Sequence, residues 1–96
     1  MGERSLVREL ERLRRSVVML QTEFRREHMD EGLIAEIEQQ MDHGIAIDAR
    51  CSGLVALVDA LRETTLTPRA ELHRDAARAC ERLKDAIEEV VSGVRS

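Results

Sequence analysis

Leu6, Leu10, Leu13, Val17, Leu20 and Phe24 recur at alternating spacings of four and three residues. An α-helix turns once in about 3.6 residues, so this rhythm puts six apolar side chains in one line along one side. Such a line is stable only when a second apolar surface covers it. The opening of the chain must therefore fold as helix against helix, with Leu10, Val17 and Phe24 at a positions and Leu6, Leu13 and Leu20 at d positions of a heptad seam. The next core position falls on Glu27, where the seam stops.

The remaining punctuation predicts two more helices. Ser5 is a candidate N-cap for the first, which runs to about His28. His28-Met29-Asp30-Glu31-Gly32 reads as a turn, with Asp30 positioned to cap the second helix. Leu33, Ile37, Ile47, Cys51, Leu54, Val58 and Leu61 then carry the three-four rhythm onward, with Gln40 as a polar intruder. Gly44 interrupts this stretch, and an interior glycine costs a helix about 1 kcal/mol relative to alanine. Because Ile45 and Ile47 resume the apolar pattern at once, Gly44 is read as a kink or a close helix approach within one long helix. Thr64-Thr65-Leu66-Thr67-Pro68 is the clearest boundary, with Thr67 as N-cap and Pro68 as first residue of a third helix. That helix has Leu72, Ala76, Ala79, Leu83, Ala86 and Val90 on its seam, Cys80, Ile87 and Val94 alongside, and Gly93 at its stop. The sequence thus predicts one all-α domain over 1–96. Its expected form is an antiparallel three-helix, up-down-up bundle with coiled-coil-like packing and helices near 5–28, 32–64 and 67–94.

Composition narrows the function. The chain has one Phe and neither Trp nor Tyr, so its core is built from aliphatic side chains that suit narrow helix seams. The net charge of −4 argues against a general affinity for nucleic acid. Charge is unevenly placed: residues 1–28 hold seven arginines against five acids, 29–66 two against eight, and 67–96 balance at six basic residues, five arginines and Lys84, against six acids. Arg4, Arg8, Arg12 and Arg15 form one exposed stripe and Arg74, Arg78 and Arg82 another, but both are interleaved with acids, and no stacking aromatics accompany them. No apolar run is long enough to span a membrane and no apolar leader opens the chain, so an intracellular protein, cytoplasmic or nuclear, is expected. Two cysteines in such a chain read as reduced thiols.

Those cysteines are the first candidate site. A hairpin centred between residues 65 and 66 places opposite each other the residues whose numbers sum to 131, and Cys51 and Cys80 satisfy that sum. They are either two small buried apolar residues, a redox-sensitive pair, or part of a metal site. Their Cα atoms would have to approach to roughly 4.4–6.8 Å for a disulfide. His28, His43 and His73 fall at different heights, and no Glu-x-x-His, His-x-x-x-His or Cys-x-x-Cys motif occurs, so no metal site is assigned. Metal-responsive helical repressors of similar length carry a particular Cys/His arrangement in their second helix and a basic face, and this sequence has neither. No phosphate loop or Ser–His–acid set is present, so neither catalytic nor cofactor-binding residues are assigned, no small-molecule substrate is evident, and a non-enzymatic protein is expected.

The second candidate is Leu54-Val55-Ala56-Leu57-Val58-Asp59-Ala60-Leu61, apolar nearly all the way round. A helix packed on one side does not need that. In a three-helix bundle the first helix barely reaches this level, leaving Leu54, Val55, Leu57, Val58 and Leu61 as a partner interface. The reading is a helical protein–protein interaction module, either a homodimer or a small subunit, adaptor or chaperone of a larger helical complex. The alternative is a small thiol- or metal-responsive regulator using Cys51 and Cys80.

Overall fold

In a computed structural model, residues 3–95 are described, and every regular element among them is helical. Helix α1 spans Glu3–Arg25, α2 Glu31–Gln40, α3 Ser52–Leu66 and α4 Leu72–Arg95. A wide turn, Met41–Ile45, and a short 3-10 turn, Ala49–Cys51, join α2 to α3. Four helices pack together where three were expected, and the expected helix over 32–64 is two.

The break has a local cause. Gly44 adopts φ 109°, a conformation open to glycine and costly for other residues. The Ala46 N–H closes the turn by donating to the Met41 carbonyl at 2.8 Å, a bond five residues back that ends the helix. Asp48 then caps the next segment, its carboxylate accepting the Arg50 N–H at 2.9 Å. Gly44 is therefore a stop and not a kink. A continuous helix over 32–64 would measure about 50 Å at 1.5 Å per residue, whereas the longest dimension of the molecule is 43 Å.

Topology is evident in the ion pairs. Arg14 reaches Glu88 at 2.9 Å, Arg25 reaches Glu81 at 3.6 Å, and Arg95 bonds Glu11. Partner numbers in α4 fall as those in α1 rise, so the two long helices are antiparallel. Helix α2 packs on α1 after a short connection, and α3 packs on α4. The order is up-down-up-down, with Arg62 of α3 donating to Glu38 of α2 at 3.2 Å to close the fourth side at the surface.

The opening stripe holds as read: Leu10, Leu13, Val17, Leu20 and Phe24 are buried and Leu6 packs against them. They meet Ile37, Met41 and Ile45 on one side and Ala76, Cys80, Leu83 and Ile87 on the other. Fully burying an aliphatic side chain stabilises the fold by about 1.5–3 kcal/mol. In α4 the core line runs through Cys80 and Ile87, while Ala79, Ala86 and Val90 lie on its flank, because α4 is covered from both the α1 and the α3 side. Helix α3 also runs to Leu66, past the expected stop. The hydroxyls of Thr64 and Thr65 donate to the Ala60 and Arg62 carbonyls at 2.9 and 2.7 Å, which accommodates them within the helix. Pro68 ends it by holding Thr67 extended, at φ −105° and ψ 101°, and α4 starts only at Leu72.

Candidate interaction surfaces

The later α3–α4 turn, 67–71, moves its centre to Arg69. Opposite residues then sum to about 138 rather than 131. Cys51 and Cys80 are consequently at least seven residues out of level, about 10 Å of helix rise and outside disulfide reach. That register does not set the two cysteines opposite each other across the hairpin. Both thiols are free and fully buried. Burial pushes the Cys51 thiol up, with the Asp48 carboxylate adding to the effect and Arg50 opposing it. Burial alone pushes Cys80 up to about 12. Both are protonated at neutral pH, and a buried thiol is neither a nucleophile nor a ready ligand.

The histidines are equally dispersed. His28 Nδ1 lies 3.0 Å from a Glu23 carboxylate oxygen, and the His73 ring sits against Phe24 with centroids 6.3 Å apart. His43 is exposed in the reversal. Among the described residues no group of three or more His, Cys, Asp or Glu could hold a metal ion, and no helix is long and apolar enough to cross a membrane.

The expected partner interface is largely spent inside the chain. Leu54, Val58 and Leu61 are only 1, 8 and 2% exposed, and Val55 and Leu57 are partly buried against the same core. The neighbour that packs most on α3 is α4, and these leucines and valines belong to the same core cluster as the α1, α2 and α4 residues. What faces outward on α3 is a smaller surface in which Gly53, Ala56 and Ala60 are exposed beside Asp59 and Glu63, with Leu57 at its edge. Gly53 and Leu57 share a groove of about 510 Å³ with Ala86, Val90 and Gly93 of α4. A Cβ at Gly53 or Gly93 would meet nothing within 4 Å, so internal packing does not call for either glycine.

Comparison with known protein families, curated proteins and solved structures found no match.

Two further grooves run along the outer side of the α1–α4 pair. One, of about 790 Å³, is floored by Val18, Met19 and Val91, with Met19 52% exposed. The other, of about 730 Å³, has Phe24, Ala70 and Ala77 on its floor and Arg25, Arg74 and Arg78 among its walls. Gln21 donates to the Glu81 carboxylate between them. That bond first, then Lys84 and Arg25, hold the Glu81 carboxyl below the usual range. Sequence reasoning read the individual stripes but not these grooves, since it paired neither α1 with α4 antiparallel nor their outward faces.

Proposed function

We propose that this protein is a non-enzymatic helical interaction module, acting through self-association or as a small subunit of a larger helical assembly. The outward surface of α3 carries the reading: Gly53, Ala56 and Ala60 are exposed on a helix whose opposite face is already buried. Interior glycine costs a helix about 1 kcal/mol relative to alanine, and here alanine would fit. Small side chains on an exposed face let another helix approach closely and pack its ridges into the α3–α4 groove. The protonated, separated thiols offer the regulator alternative no support.

The test is sedimentation and thermal unfolding across concentration for the wild type and for Ala56→Arg with Ala60→Arg. Both sites are exposed, so the variant should fold with its monomer stability within about 0.5 kcal/mol. Loss of a concentration-dependent Tm in the variant supports the module. A wild type that stays monomeric at high concentration and recovers the same co-purifying proteins as the variant overturns it.

A further inference from the structure

We infer that the cationic end of the α1–α4 groove receives an acidic amphipathic helix from a partner protein. Arg74, Arg78 and Arg82 stand at four-residue steps on α4, exposed and outside the ion pairs of the described residues. Arg25 joins them across the groove, its guanidinium 3.6 Å from Glu81. The acids interleaved with them, Asp75, Glu81 and Asp85, pair instead with Arg69, Arg25 and Lys84, so the arrangement works against α4 itself. Like charges four residues apart on a helix repel, and Arg74 sits in the first turn, where the helix dipole disfavours a cation. Acids to neutralise them are not scarce, since residues 29–66 hold eight against two arginines. The fold keeps that surplus in α2 with its Asp30 cap, in α3 and in the connection between them, and leaves this groove positive.

The groove floor identifies the kind of anion. Ala70 and Ala77 present only methyl groups beside the His73 ring, above the buried Phe24, so a narrow apolar ridge can settle between the arginine rows. A helix with acids at four-residue steps along one flank matches the spacing from Arg74 to Arg82, about 12 Å of rise, and lets each guanidinium grip a carboxylate in two-pronged fashion. Nucleic acid fits less well. Glu27 and Glu81 stand on the rim, the chain's one Phe is buried, and the half-buried His73 is the single ring left along the groove, where strand binding uses successive stacking platforms. This surface is separate from the outward face of α3, so each can fail without the other.

The experiment is fluorescence anisotropy of the full chain with a labelled helical peptide of about 20 residues, carrying a leucine ridge flanked by glutamates. A lysine-flanked copy and a single-stranded 20-nucleotide oligomer serve as comparators. The glutamate peptide should saturate, at least tenfold tighter than either comparator at about 50 mM salt, and weaken as salt rises. Arg78→Gln with Arg82→Gln should weaken it at least tenfold. Ala70→Phe, which fills the floor without changing charge, should weaken it at least threefold. Arg8→Gln, and separately Ala56→Arg with Ala60→Arg, should leave it unchanged, with folding of every variant checked by circular dichroism. The inference is overturned by a glutamate peptide that does not saturate, by tighter binding of the oligomer, or by indifference to either groove variant. It is also overturned if wild-type self-association is lost in the Arg78/Arg82 variant, which would make a second copy the occupant.

Discussion

The α1–α4 half and the α2–α3 half of the bundle are built on different terms. Helices α1 and α4 are 23 and 24 residues long, unbroken, and tied along their length by Arg14–Glu88, Arg25–Glu81 and Arg95–Glu11. The other half reverses at Gly44, restarts at Asp48, and leaves the Gln40 side-chain carbonyl oxygen buried without a partner. Stability on one side comes from a continuous apolar line. On the other it depends on single residues that stop and start the chain.

Substitutions can test that contrast. The largest effect is expected for Leu20→Ala, which empties a fully buried position of the α1 line and should cost about 2–5 kcal/mol in denaturant unfolding. The same truncation at half-buried Leu57 should cost less than half as much, and equal costs would erase the distinction. Gly44→Ala should cost about 1–2 kcal/mol, because φ 109° is closed to a residue with a Cβ even though nothing lies within 4 Å of that atom. A stability change near zero would mean the reversal does not rest on glycine. Gln40→Leu should stabilise by about 1 kcal/mol by removing the unpaired oxygen; only the weak 3.5 Å bond to Glu36 is lost. Destabilisation would place an unrecognised partner on Gln40.

Where periodicity alone decides structure, the sequence was readable: the α1 stripe and most of the α4 core stand where spacing put them. The reversal was carried by punctuation instead. Gly44 and Asp48, four residues apart, are a helix stop and a cap, but the apolar residues between them suggested continuity. Ile45 is indeed buried, whereas Ile47, counted on the seam, is 89% exposed. The turn on which the cysteine register was built moved for a related reason. The threonines bond to their own helix, the turn shifts by more than three residues, and every cross-hairpin pairing shifts with it. The interface expectation underestimated burial within the chain: Leu54, Val58 and Leu61 join the core cluster, on a helix that packs chiefly on α4.

The antiparallel pairing of the first helix with the last also sets an order of events during synthesis. Contacts such as Gln21–Glu81 and Arg95–Glu11 join residues 60 and 84 apart in the chain. At about 5–20 residues per second, roughly 2–10 s separate the completion of α1 from the first appearance of α4. Through that interval the leucine line has only α2 against it. A nascent chain with half its core uncovered is a target for chaperones and for its neighbours on the same message, so the pairing that makes the finished molecule firm is also what leaves the growing one exposed.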